Sequence, residues 1–176
     1  NNDTNNTNAS EINMNGTSSI KDNRSRTQTM FSNHNSVKHV QLEDFKVLKV
    51  IGRGSFGKVC LVEYLPRNEI YAMKSLKKDI LIEQEQIENT LLEKEILQTI
   101  DHPLLCGLVF CFQTSERIYF IMPFLCGGEL FHHLRKFRTF DEEKVRFYGA
   151  QIAIALDYLH TKGIIYRDLK PENILM

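Results

Sequence analysis

In this 176-residue sequence, Tyr166-Arg167-Asp168-Leu169-Lys170-Pro171-Glu172-Asn173 sets a carboxylate and a carboxamide five residues apart around a lysine. Each residue type has a distinct use. Asp168 can accept or orient the proton of a hydroxyl nucleophile. Lys170 can offset charge on a transferring phosphoryl group, and the amide oxygen of Asn173 suits a hard divalent cation. A plain polar loop closed by Pro171 is the bland alternative, and chance agreement at this many positions is improbable. A second cation, Lys74, lies among Ala72, Met73 and Leu76. A lone lysine on a strand is usually solvated surface, but in apolar company an unpaired charge is costly. Phosphates plus a carboxylate would satisfy it. Glu93 is the candidate carboxylate, and Glu83, Glu85, Glu88 and Glu95 are rivals that spacing alone does not exclude. The third feature is Gly52-Arg53-Gly54-Ser55-Phe56-Gly57. By itself this spacing is a weak signal, met in Gly-rich hairpins without a ligand and in dinucleotide folds when a helix follows. Here a β-rich run follows, which argues against the dinucleotide reading. It favours a flap whose backbone N–H groups close over phosphates, with glycines permitting the close approach. Val59 and Ala72 stand where apolar walls for a flat base are needed.

The elements that must position these residues can be read in outline. Residues 42–51 turn apolar with partial alternation, which predicts a strand. Residues 58–64 predict a second, so the glycine-rich segment becomes the turn of a hairpin. Pro66-Arg67-Asn68-Glu69 marks another turn, and residues 70–76 predict a third strand that carries Lys74. From 79 to 100, charged and apolar residues alternate at helical spacing, with Ile87, Leu91, Ile96 and Ile100 roughly on one face. This predicts one helix bearing the candidate glutamates. Residues 104–113 and 117–122, split by Thr114-Ser115-Glu116, read as a second hairpin. Gly127-Gly128 leads into a short helix near Glu129. Asp141 is predicted to cap a helix that runs to about Thr161, with Glu142 and Glu143 favouring its first turn and Gly163 its stop. Five strands with one inserted helix, followed by helices, make an α+β arrangement in two lobes.

Composition narrows the setting. Lys+Arg 22 balances Asp+Glu 22, so there is no global pull toward nucleic acid or an anionic membrane. No apolar run approaches the roughly 18–20 residues of a transmembrane span, and no signal-peptide profile opens the sequence. A cytoplasmic protein is expected, with the nucleus as the other setting. Cys60, Cys106, Cys111 and Cys126 form no C-x-x-C pair, and His102, His132 and His133 lack zinc-finger spacing. They read as reduced, structural thiols, with Cys126, beside Gly127-Gly128, the exposed exception. Residues 1–39 are rich in Asn, Ser and Thr, which predicts a disordered segment. The first residue is Asn and the last, Met176, follows an apolar run, so both ends are expected to be cuts in a longer protein.

Taken together, the glycine-rich loop, Ala72-Met73-Lys74 and the segment from Tyr166 to Asn173 resemble the signature set of eukaryotic protein kinases. Tyr166 in place of the usual His, Gly127-Gly128-Glu129-Leu130-Phe131, Arg146-Phe147-Tyr148-Gly149-Ala150 and Asp157-Tyr158-Leu159-His160 resemble the AGC group of Ser/Thr kinases. Within it the likeness is to protein kinase B, the serum- and glucocorticoid-inducible kinases and the ribosomal-protein kinases. The match runs from about Phe45 to Met176. It implies the kinase fold: a five-stranded antiparallel N-lobe with helix C, and the first helices of an incomplete helical C-lobe. It implies ATP and Mg2+ as cofactors. Lys74 would bind the α- and β-phosphates and pair with Glu93, Asp168 would be the catalytic base, and Asn173 would bind a magnesium ion. The nucleotide would lie along Ile51, Gly52, Arg53, Gly54, Ser55, Phe56, Gly57, Lys58 and Val59. Ala72 would line it, Met122 would stand at the gatekeeper position, and Leu175 would form the floor. The Pro123 carbonyl and the Leu125 N–H would meet adenine, and Glu129 the ribose. Glu129 and Glu172 imply protein substrates with basic residues near the Ser or Thr, and an upstream activating kinase is implied as a further partner.

Two departures stand out. Pro123 replaces the acidic residue usual in AGC hinges, yet it keeps its carbonyl, so adenine binding should survive. The second is the absence of Asp-Phe-Gly, the activation loop and Ala-Pro-Glu from the 176 residues. A chain without them is expected to be inactive alone. The competing reading is a non-catalytic nucleotide-binding or pseudokinase-type interaction module.

Overall fold

The computed structural model describes residues 40–176; the segment 1–39, expected to be disordered, lies outside the described residues. The β-rich runs form five strands: β1 (Phe45–Gly54), β2 (Gly57–Tyr64), β3 (Glu69–Lys77), β4 (Phe110–Gln113) and β5 (Arg117–Pro123). They make one sheet in the order β1-β2-β3-β5-β4, every neighbouring pair antiparallel. Residues opposite one another in such a ladder share a face, so the register sorts the side chains. Cys60, Val62, Tyr64, Met73, Tyr119 and Ile121 fall on one face and bury together with Phe45. Phe112 stacks on Phe45 at 5.7 Å between centroids, and Tyr64 lies 5.0 Å from the same ring. The other face carries Val59, Ala72, Lys74, Phe120 and Met122.

The N-terminal end of β1 is shorter than its composition suggests. Leu42–Asp44 coil into a 3-10 turn, held by the Gln41 N–H donating to Asp44 Oδ2 at 3.0 Å. That turn lets Leu42 pack against the aromatic cluster.

The single helix expected over 79–100 is two helices, α1 (Lys78–Glu83) and α2 (Ile87–Thr99). The break has a definite form. Glu85 takes φ 55, the Gln86 N–H donates to Leu81 O at 2.8 Å, and the Glu85 N–H donates to Ile82 O at 3.2 Å. These paired bonds close a helix end around a left-handed residue. Glutamate here gives no sequence signal, because glycine or asparagine normally marks that position. Likewise, residues 104–109 are not strand: the Leu105 N–H turns back to His102 O, the Leu108 N–H donates to Leu97 O, and bonding to β5 starts only with the Val109 N–H, which donates to Ile121 O at 2.8 Å just before β4.

Two further helices follow, α3 (Leu130–Phe137) and α4 (Glu142–Thr161). Asp141 caps α4 as its position predicts, its Oδ1 accepting from the Lys144 N–H at 2.8 Å while Lys144 Nζ pairs with Oδ2. Gly163, at φ 72, ends α4 by the motif seen at Glu85, with the Ile164 N–H donating to Leu159 O at 2.9 Å. The end of α3 is strained. Arg138 sits at φ 62, ψ −46, and the Thr139 N–H donates to Phe137 O at 2.7 Å, a γ-turn of the rare, unfavourable hand. Ala155 and Leu159 are buried, whereas Val145, Phe147 and Ile154 are exposed on α4. Among the described residues no helix is long and apolar enough to cross a membrane.

Candidate active site

Lys74 is placed by strand alternation. It lies opposite Val59 on β2 and Phe120 on β5, with its Nζ 6.0 Å from the centre of the fully buried Phe120 ring. From α2, Glu93 reaches Lys74: Nζ donates to Oε1 at 2.5 Å. Of the five glutamates left open by spacing, this is the one ion-paired to Lys74 among the described residues. The break at Glu85 sets the start of α2, and so which of its faces meets the sheet.

The glycine-rich hairpin lies beside this pair. Gly54 pairs with Gly57 across a two-residue turn, Ser55-Phe56, and the Phe56 carbonyl accepts from the Lys77 N–H at 3.0 Å. Ladder irregularities between Val47 and Lys49 and between Val50 and Gly52 bend β1. Ile51, Arg53 and Lys58 are exposed along it, and Gly52 lies opposite Val59. Two of the glycines differ in an informative way. A Cβ on Gly57 would sit 1.8 Å from the Ser75 carbonyl oxygen, so the sheet itself demands glycine there. A Cβ on Gly54 would meet nothing within 4 Å, and its φ is not in the left-handed range.

On the same sheet face Ala72 lies opposite Leu61 and Met122. Pro123 closes β5 opposite Tyr71, and Leu125 follows it, exposed. Glu129 is the N-cap residue of α3 and pairs with Leu175 in an isolated bridge. Around that bridge the Gly127 N–H donates to Met176 O at 2.8 Å, the Met176 N–H to Gly128 O at 2.9 Å, and the Leu130 N–H to Ile174 O at 2.8 Å. A Cβ on Gly127 would lie 2.3 Å from Met176 O. This stretch therefore fastens the segment after β5 to the segment after Asn173, and fixes Leu175 beside Glu129. Met176, and His133 below it, are participants that no sequence signal marked.

The polar loop forms its own cluster. Arg167 holds φ 61, and the Asp168 N–H donates back to Tyr166 O at 2.9 Å, a second three-residue turn. Strain of this kind, on the order of 1–3 kcal/mol, concentrates at functional sites. Asp168 accepts from Lys170 Nζ at 2.9 Å and from Asn173 Nδ2 at 2.8 Å. These bonds, that from Lys170 foremost, hold the Asp168 carboxyl below the usual carboxylate range, and Asp168 in turn raises Lys170. Burial raises Tyr166, with the neighbouring Asp168 charge adding to it. Glu172 lies exposed in the 3-10 turn Pro171–Asn173. Burial pushes the Cys111 thiol up to about 11, in keeping with a structural role, and Cys126 is exposed.

Asn173 spends its Nδ2 on Asp168, which leaves Oδ1 as its ligating atom. Among the described residues no group of three or more His, Cys, Asp or Glu side chains could hold a metal ion. The residues present thus fit one contact to magnesium within a shell completed by other oxygens. When bound, magnesium neutralises phosphate charge in phosphoryl transfer.

A sheet whose one face carries a lysine paired to a helix glutamate, beside a glycine-rich hairpin and an Asp–Lys–Asn loop, is the arrangement of a protein kinase. Residues 45–176 match the protein kinase domain family, and the chain belongs to it. Within that family it is similar to Ser/Thr kinases of the AGC group. It is 50% identical over 137 residues to a RAC family serine/threonine-protein kinase homolog of Dictyostelium discoideum, covering 78% of this chain and 31% of that protein. To the RAC serine/threonine-protein kinase of Drosophila melanogaster it is 49% identical over 144 residues, 82% of this chain and 24% of the relative. To protein kinase C eta type of Mus musculus it is 47% identical over 143 residues, 81% and 21% respectively. The chain therefore spans less than a third of the length of these relatives.

Proposed function

We propose that this chain carries the nucleotide-binding part of an ATP-dependent protein serine/threonine kinase, and that the protein containing it transfers the ATP γ-phosphoryl group to Ser or Thr. The observation that carries this reading is the 2.5 Å Lys74–Glu93 pair. It holds the Lys74 cation on the sheet face that also presents Val59, Ala72 and Met122. Gly54 supports it, since nothing among the described residues explains a glycine there, whereas close approach of a phosphate does. In this reading the Asp168 carboxylate, held by its two donors, orients the substrate hydroxyl, and Lys170 faces the transferred phosphoryl. Asn173 holds magnesium, the Pro123 carbonyl and Leu125 N–H meet adenine, and Leu175 lies under it. The exposed carboxylates of Glu129 and Glu172 favour peptides with arginine or lysine near the acceptor. Activation by an upstream kinase belongs to the same proposal.

The 176 residues contain no Asp-Phe-Gly, and among the described residues no group of three or more His, Cys, Asp or Glu side chains could hold a metal ion. We therefore propose that the isolated chain binds nucleotide without phosphorylating protein. The test is a phosphotransfer assay on the longer protein that contains this chain, with Ser peptides carrying or lacking basic residues. Incorporation into the basic peptide, lost by at least a hundredfold in Asp168→Asn, is the expected result. Equal incorporation by the variant would refute the assignment.

A further inference from the structure

The lip of the proposed nucleotide site contains the most easily rotated peptide of the region, that between Gly127 and Gly128. Neither residue has a side chain to hold it, and Gly128 already sits at φ 78. Such a peptide can turn over at little steric cost. The peptide itself contributes Gly127 O and Gly128 N–H; the groups that flank it, Gly127 N–H and Gly128 O, bond to Met176 beside the Glu129–Leu175 bridge, so a change in its tilt alters the dihedral angles that set both bonds. One side chain grips it: His133 Nε2 lies 2.7 Å from the Gly127 carbonyl oxygen. A carbonyl can only accept, so Nε2 carries the proton in the neutral as well as the charged imidazole. The ring is itself held one turn into α3, parallel to Phe137 at 6.5 Å and edge-on to His132 at 6.2 Å.

We propose that His133 is a positioning residue for the nucleotide. It fixes the Gly127–Gly128 peptide plane and through it the placement of Glu129 and Leu175. The inference rests on the nucleotide reading of this site and adds a residue to it. His133 touches no reacting atom. It acts by restricting two glycines, so its loss weakens binding rather than chemistry.

The test compares two variants of the chain, titrated with Mg·ATP by calorimetry. His133→Phe keeps a ring against Phe137 and removes the N–H; His133→Gln returns an N–H donor of similar reach. His133→Phe is expected to weaken binding about five- to tenfold, the loss of one hydrogen bond, and His133→Gln to stay within about twofold of wild type. Amide exchange without nucleotide reads the lock directly: the Gly127 and Met176 N–H groups exchange faster in His133→Phe and at the wild-type rate in His133→Gln. Wild-type affinity in His133→Phe overturns the proposal, as does a His133→Gln as weak as His133→Phe. A wild-type chain that takes up no Mg·ATP defeats the nucleotide reading underneath, and that is seen before either variant is compared.

Discussion

At the residue scale, the two glycines of the hairpin make opposite predictions. Gly57→Ala would drive a methyl group against the Ser75 carbonyl, so it is expected to lower the thermal unfolding midpoint as well as nucleotide affinity. Gly54→Ala meets open space and is expected to leave the midpoint unchanged while weakening Mg·ATP. A Gly54→Ala variant that binds normally would remove the argument for a phosphate there. Asp168 gives a pH prediction. Its folded pKa lies below the ordinary value because Lys170 and Asn173 donate to it. The pairing is therefore fully present above the ordinary carboxylate range and is lost as pH falls through the lowered value. Carbon-detected NMR titration of Lys170→Ala is expected to move the Asp168 midpoint upward; an unmoved midpoint would show that Lys170 does not hold it. The chemistry-bearing residues were legible in sequence because their types are scarce at such spacing. Spacing alone left the Lys74 partner open, because five glutamates share one charged stretch; Glu93 was legible only through the kinase resemblance, and the structure pairs it with Lys74.

At the scale of elements, two similar helix ends differ in how visible they are. Gly163 could be read as the stop of α4, since glycine adopts its left-handed angle freely. Glu85 adopts the same conformation without that advantage, so the boundary between α1 and α2 was invisible and a single helix was expected. The same reasoning gives a signed prediction. Glu85→Gly should stabilise the fold by about 0.5–1 kcal/mol, as removal of left-handed strain outweighs the added chain entropy, and Gly163→Ala should destabilise it by about 1 kcal/mol. Urea denaturation of both variants checks the pair, and a destabilised Glu85→Gly would contradict the strain argument. Arg138, in its γ-turn, belongs with Glu85: Arg138→Gly is expected to raise stability similarly, by about 1 kcal/mol. The five strands were legible from their apolar runs and turn residues, and the antiparallel sheet from the kinase resemblance; the order that sets β3 beside β5 was not. Nor were the early ends of β1 and β4, because a 3-10 turn and a return to Leu97 consume apolar residues that look like strand.

For the whole molecule, the sheet separates two functions by face. The aromatic cluster about Phe45 stabilises one side, and Lys74, Ala72 and Met122 occupy the other. The helical part is more exposed, with Val145, Phe147 and Ile154 on α4 and Ile165 after it facing solvent. Apolar groups so exposed favour association. The chain is expected to scatter light as species larger than its 20.5 kDa, and Phe147→Glu with Ile154→Glu to reduce that mass; a wild-type monomer would contradict this. ATP binding by the face around Lys74 underlies every role proposed above. Its most direct measurement is calorimetric titration of Mg·ATP into the chain and into Lys74→Met. Saturable one-to-one binding to the wild type is expected, weakened at least tenfold (about 1.4 kcal/mol) in the variant. Absence of binding by a folded wild-type chain, or equal affinity in Lys74→Met, would contradict it.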